Sequence, residues 1–275
     1  MSLLISGDLR LAKSFTQWTP ADITTALWLD AADASTITLN GSTVSQWSDK
    51  SGLGNHAVNA TTASQPTYQA TGFNGRPTLS FDNTDDFLGT SAPVMSSAGD
   101  YFYASVFEMR SGTGSWRMVM GGRPSFNAGS SNSVILQRFS NEQAIGTHHT
   151  DSTATGVKVN VTNVFAPTIA TIGRTGGTAG NGGTVTVTAT NPSQASYLTT
   201  GTQSWSSQAN SVFQIGGKQQ SGTPWLDGVI SECIGLTRNA TTLERQKVEG
   251  YLAHKWGLTA SLPVDHPYKV NPPAP

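Results

Sequence analysis

Two carboxylates set about 5–5.5 Å apart are what a retaining glycosidase needs. Asp227 and Glu232 are the pair that the C-terminal strand pattern offers. On a regular strand, residues five apart point to opposite faces, and their Cα atoms stand about 16 Å apart at 3.3 Å per residue. Asp82, Asp85 and Asp86 are closer in sequence, but they fall where Asx chemistry makes a turn. Neither group predicts a hydrolytic centre, and the chain is not expected to be an enzyme. Cys233 sits in an apolar strand pattern, which predicts a small buried side chain rather than a reactive thiolate. His148 and His149 fall in a polar stretch read as a loop, from Gly146 to Asp151. Adjacent extended residues project apart, so the two imidazoles are not expected to share a metal. There is no Gly-x-Ser-x-Gly elbow, no His-Glu-x-x-His pair and no phosphate-binding glycine loop.

Other residues suit holding a ligand without transforming it. An aromatic ring stacks on the apolar face of a pyranose, and nearby amides fix its hydroxyls. Trp116, Tyr197, Trp205 and Trp225 lie in or beside loops rich in Ser, Thr and Gln. Arg117, Gln203 and Gln208 are their polar company. The alternative for each aromatic is packing in the core or as a lid. Trp28, Trp47 and Trp256 lie in strand or helix patterns and are expected in the core.

The elements that must position these residues are strands. The chain has 275 residues, of which 12% are charged, about half the roughly 25% usual in soluble domains. A net charge of −1 gives no footprint for nucleic acid or anionic lipid. A single cysteine excludes an internal disulfide and a Cys-rich zinc site. The opening residues show no basic segment and too short an apolar run for an export signal, and no stretch has the length of a transmembrane span.

Short strand patterns recur from Ala26 onward, separated by turns of Gly, Ser and Asn. In Tyr101 to Met109, Tyr101, Tyr103, Ser105 and Phe107 fall on one face and Phe102, Ala104, Val106 and Glu108 on the other. One helix is signalled. Thr241 and Glu244 form a capping box, Val248, Leu252 and Trp256 make an apolar stripe, and Gly257 stands where a left-handed residue ends a helix. Gly250 inside that helix predicts a close approach by another backbone. The stretch from Thr175 to Thr202, Gly-rich as far as Gly183, predicts a protruding hairpin or loop.

These residues resemble the concanavalin A-like superfamily in its laminin-G-like branch. Leu27 to Asp33 resembles the opening strand, and Trp47-Ser-Asp-Lys-Ser-Gly-Leu-Gly-Asn-His-Ala57 the Gly-Asn turn. Leu79 to Asp82 with Asp85 to Leu88 resembles the next strand pair. Phe213 to Gly217 and Leu226 to Glu232 resemble the closing strands. The ending, Glu249 to Leu258 with Leu262 to Tyr268, looks like a version frequent in phage and marine bacterial surface proteins. The resemblance implies an all-β, two-sheet antiparallel jelly-roll sandwich with a short C-terminal helix. It also implies a structural calcium near the Gly-Asn turn, carried over onto Asp49, Asn55 and Asp227, although Asp49 and Asn55 could equally cap a turn and Asp227 open a hairpin.

The organisation expected is an N-terminal arm over 1–22 for assembly or attachment, a domain over 23–270 and a tail over 271–275. The function expected is a non-enzymatic virion surface protein, on capsid or tail, made in a host cytoplasm. It would form homo-oligomers, meet other virion proteins through its arm and hold a polysaccharide through its loops. The alternatives are a purely structural decoration protein, a carbohydrate-binding module or a glycoside hydrolase.

Overall fold

In the computed structural model the described residues are 17–92, 94, 100–110, 117–123, 134–138, 143–148, 156–176, 183–190, 197–203, 212–217 and 225–275. Among them, alternating β-branched and aromatic residues form seventeen strands. These are β1 (Leu27–Asp30), β2 (Ile37–Asn40), β3 (Thr43–Trp47), β4 (Ala57–Val58), β5 (Thr67–Gln69), β6 (Thr78–Asp82) and β7 (Leu88–Thr90). Then come β8 (Tyr101–Met109), β9 (Arg117–Arg123), β10 (Val134–Arg138), β11 (Ala144–His148) and β12 (Val157–Asn160). The last are β13 (Thr168–Thr175), β14 (Gly183–Thr190), β15 (Leu198–Gln203), β16 (Val212–Ile215) and β17 (Asp227–Leu236), followed by helix α1 (Thr242–Trp256). His148 therefore ends a strand, where a loop was expected.

The ladders are antiparallel and form two layers. β17 is the axis of the first sheet. Along one edge it pairs with β6 and then β1, and along the other with β8. β13, β14 and β15 continue outward from β8. β5 pairs with both β6 and β3 and so joins the layers. The second sheet runs β2, β3, β4, β7, β16, β9, β10, β11, β12.

The main core lies between the sheets and includes Trp47, Phe81, Tyr101, Tyr103, Phe107 and Phe213. Tyr103 stacks on Tyr101 at 4.9 Å, meets the edge of Phe213 at 4.9 Å and donates its hydroxyl to the Val94 carbonyl. A second core covers the outer face of the first sheet. There Phe102, Ala104, Val106 and Ile234 pack against Val248, Leu252 and Trp256 of α1. The alternation read in β8 thus feeds both cores.

The helix begins at a capping box, in which the Thr241 hydroxyl accepts from the Glu244 N–H and Glu244 accepts from the Thr241 N–H. It ends at Gly257 with φ 72°. A methyl group at Gly250 would come 2.5 Å from Tyr268 Cβ. What approaches Gly250 is a side chain of the docked tail rather than a backbone.

Beneath α1, Glu232 is completely buried. Its Oε1 accepts from Trp28 Nε1 at 2.7 Å and Tyr251 OH at 2.9 Å, and its Oε2 accepts from Trp256 Nε1 at 2.7 Å. Lys255 Nζ lies 2.7 Å from the same Oε2 and 2.7 Å from Asp30 Oδ1. A buried carboxylate costs several kcal/mol unless its lone pairs are met, and here they are met. The register of β17 also shifts between Ile230 and Glu232. The even alternation assumed for Asp227 and Glu232 does not hold across that bulge.

The arm boundary expected at residue 22 moves earlier. Trp18 is buried against the helix, meets Tyr251 edge-on at 6.0 Å and donates its backbone N–H to the Pro273 carbonyl at 3.2 Å. The expected tail is likewise docked, with Lys247 Nζ donating to the Ala274 carbonyl at 3.0 Å. Residues 1–16 of the expected arm lie outside the described residues.

Candidate functional site

Ala57, Leu88, Met120 and Ile215 point into the core, so their strand neighbours Val58, Gly89, Gly121 and Gln214 face outward on the second sheet. Register sets these four in one cross-strand row: Val58 opposite Gly89, Gly89 opposite Gln214, and Gln214 opposite Gly121. Gln46 extends the row at one end and Ile135 at the other. Glycine stands on both sides of Gln214, and both glycines are buried. Gln214 itself is 1% exposed, and neither atom of its amide has a hydrogen-bond partner among the described residues. Such an orphan costs about 1–3 kcal/mol and calls for an explanation.

Beside this row is a groove of about 370 Å³, lined by Val58, Asn59, Thr61, Phe87, Gly89 and Val212. Val58 is 42% exposed. Phe87 leads from the groove to Trp225, at a ring separation of 6.3 Å. A methyl group at Gly217 would strike the Trp225 ring, so glycine is what lets the ring lie there.

At the same rim stand Asp82, Asp85 and Asp86, with carboxylate oxygens within 4.8 Å of one another. Their hydrogen bonds are local. Asp82 accepts from the Thr84 N–H, Asp85 from the Ser64 hydroxyl and Asp86 from the Asp82 N–H. Burial pushes the Asp86 carboxyl up to about 7, and the Asp82 charge adds to the effect. Asp227 pairs across the strands with Asp82. Burial lowers the pKa of the Arg117 guanidinium, and the charge of Asp227 opposes that.

The ligand residues expected from sequence do not form one site. Arg117 and Trp225 come to the same end of the sandwich, but Arg117 is buried. Tyr197 is on the opposite layer, beside β15, where it pairs with Arg245 of α1. Gln203 ends β15 opposite Gly183, and its side chain is outside the description. Trp116, Trp205 and Gln208 lie outside the described residues; of the expected protrusion, Gly183–Thr190 and Leu198–Gln203 are ladder strands of the first sheet, while 177–182 and 191–196 lie outside the described residues.

The expected calcium ligands are not brought together either. Asp49 Oδ1 accepts from the N–H groups of Trp28 and Ser51, both at 2.9 Å. Its Oδ2 accepts from the Ser51 hydroxyl at 2.6 Å and the Asn55 N–H at 3.0 Å. Asn55 Nδ2 donates to the Ala26 carbonyl at 2.7 Å. These bonds tie the Gly-Asn turn to β1 and use the oxygens that a cation would need. Trp28 pairs with Ile234, seven residues along β17 from Asp227, or roughly 20 Å. The set does not fit calcium.

Gln214, Gly89, Gly121, Val58 and Phe87 were not singled out from sequence. A polar residue between Phe213 and Ile215 was the available signal. The register that aligns it with two glycines comes only from the tertiary pairing.

No protein-family model and no curated protein matches the chain. Solved structures do. Domain 4 of AbnA, a GH43 extracellular arabinanase from Geobacillus stearothermophilus solved with arabinotriose, superposes with a TM-score of 0.53 at 11% identity, over 80% of this chain and 96% of that one. Trypanosoma rangeli sialidase, in complex with sialic acid, gives 0.52 at 13% identity over 80% of this chain. The binding domain of botulinum neurotoxin serotype D gives 0.51 at 10% identity over 82% of this chain. The chain spans 32% of the sialidase and 50% of the toxin chain. At these identities the similarity is one of β-sandwich fold.

Proposed function

We propose that the chain is a non-enzymatic, lectin-like module of concanavalin A-like type that holds a neutral glycan on the outer face of its second sheet. The observation that carries this reading is the groove walled by Val58, Phe87 and Val212, next to the strand row in which the buried Gln214 amide has no partner among the described residues. A glycan hydroxyl can both donate to and accept from an amide, while its ring packs on apolar side chains. None of the described residues lining the groove is charged, which favours a neutral ligand. The setting we propose is a virion surface, where several copies convert weak single-site binding into avidity. The apolar residues before Trp18 are the proposed attachment to other virion proteins.

The test is binding of neutral oligosaccharides, arabino-oligosaccharides among them, to the chain and to Gln214→Leu. Leucine replaces an unpaired amide by an apolar group of similar size, so stability should hold or rise. Affinity should fall roughly tenfold, the worth of one or two hydrogen bonds. Absence of binding across a broad glycan array, or binding unchanged in the variant, would overturn the assignment.

A second reading, glycoside hydrolysis, is favoured by Asp86 alone, since a carboxyl that titrates near 7 suits a general acid. Against it, the three rim aspartates belong to one turn, and Glu232 is sealed beneath the helix. Release of reducing ends from β-glucan or arabinan that disappears in Asp86→Asn would decide for the enzyme.

A further inference from the structure

The outer face of the first sheet carries residues in rows across β8, β13, β14 and β15. One row is Ala104, Thr171, Thr188 and Leu198. Its hydroxyls are spent under the helix: Thr171 and Thr188 share a hydrogen bond of 2.7 Å, and Thr188 donates to Glu249 at 2.8 Å. The next row is Phe102, Gly173, Thr186 and Thr200, which lies beyond the first turn of α1. Here the sheet meets the N-terminal end of the helix, at Thr242 and Arg245. Gly173 leaves room for the Asn239 side chain, which occupies the space that a Cβ would take. The result is a cleft of about 250 Å³ between the threonines of this row, Leu198, Asn239 and the start of the helix at Thr242.

Two features define its chemistry. Among the described residues, the side chains of Thr186, Thr200, Asn239 and Thr242 make no hydrogen bond within the chain. Arg245, at the cleft wall, is already committed: its Nη1 lies 2.8 and 3.0 Å from the two oxygens of Glu249. The cleft therefore offers hydroxyls and an amide around the exposed Leu198, above the buried Phe102, and the Arg245 charge on its wall is neutralised.

We propose that this cleft is a binding subsite for a single neutral, polyhydroxylated ring of pyranose size. Thr186, Thr200, Thr242 and Asn239 exchange hydrogen bonds with the ring hydroxyls, and Leu198 receives its apolar face. The volume is below the roughly 300 Å³ at which drug-sized pockets begin, as a one-ring ligand requires. The site stands on the face opposite the groove and does not rest on the reading of Gln214.

The test is two-dimensional amide NMR of the full chain titrated with methyl glucoside, galactoside, mannoside and arabinoside. The expected result is saturable shifts at Gly173, Thr186, Thr200 and Asn239 with at least one of them, with affinity on the order of millimolar for about a dozen heavy atoms. Thr186→Val with Thr200→Val keeps the β-branched shape that the strands prefer. That pair should weaken these shifts by roughly tenfold or more. Gln214→Leu should leave them unchanged, which separates failure of one site from failure of the other. Silence at the cleft with all four sugars, or shifts undiminished in the valine variant, overturns the proposal. Tighter binding of methyl glucuronide than of the neutral sugars overturns the neutral assignment.

Discussion

Glu232 and Lys255 meet at 2.7 Å beneath the C-terminal helix, where the glutamate is completely buried. Burial pushes the Glu232 pKa upward, and the Lys255 charge pulls it back. Breaking such a pair leaves an uncompensated charge and costs about 3–5 kcal/mol. Glu232→Gln should therefore lower stability by about 3 kcal/mol in urea unfolding. Lys255→Met should do similar damage, and the double variant should lose less than the sum. Strict additivity would show that the two groups do not depend on each other.

Gly250→Ala tests the docked tail. In an exposed helix this change stabilises by about 1 kcal/mol. Here the added methyl group would lie 2.5 Å from Tyr268 Cβ, so the expectation is a loss of about 1–3 kcal/mol. Introducing Tyr268→Ala as well should restore the helical gain. A stabilised single variant would mean that the tail is not seated against the helix in solution.

Asp86 predicts an unusual pH response. Its folded pKa, about 7, is above the ordinary carboxylate value of 3.8. The folded state therefore holds its proton more tightly than the unfolded chain does. The stability that this proton supplies is present below about pH 4 and is lost as pH rises towards 7. Asp86→Asn should remove that slope and stabilise the protein by roughly 2 kcal/mol at pH 8, once partial solvent access is allowed for. Denaturant midpoints at pH 4, 6 and 8 would measure it. A parallel pH profile in both proteins would refute the assignment.

Glu244 carries the opposite sign. Hydrogen bonds from Arg238, at 2.6 and 2.8 Å, lower its carboxyl to about 2. That contribution is present above the ordinary value of 4.5 and lost as pH falls towards 2. Because the pair is largely solvated, its worth is about 1 kcal/mol or less. Glu244→Gln should keep much of the capping geometry and lose the acid-side slope. Thr241→Ala should cost about 1 kcal/mol at every pH. Circular dichroism melts at pH 3 and pH 7 would separate the two.

The helix could be read from local chemistry, because a capping box, an i+4 apolar stripe and a terminal glycine act within a few residues of one another. The two faces of β8 were likewise visible, since a strand alternates whatever its partners. What sequence did not reveal depends on distant pairing. Trp28 and Trp256 were correctly expected in the core, but their shared grip on Glu232 spans 204 and 24 residues. The bulge in β17 broke the alternation assumed for Asp227 and Glu232. Asp49 and Asn55 looked like cation ligands because a turn cap and a calcium loop use the same oxygens. The row through Gln214 joins four strands scattered from residue 58 to residue 214, and no local window contains it.

The bond from Trp18 to Pro273 brings the two flanks of the domain to one corner, on the side covered by the helix. Anything joined before residue 17 or after residue 275 would leave from that corner. The sandwich would then be held like a lamp on a bracket, with its second sheet turned outward and free of whatever carries it.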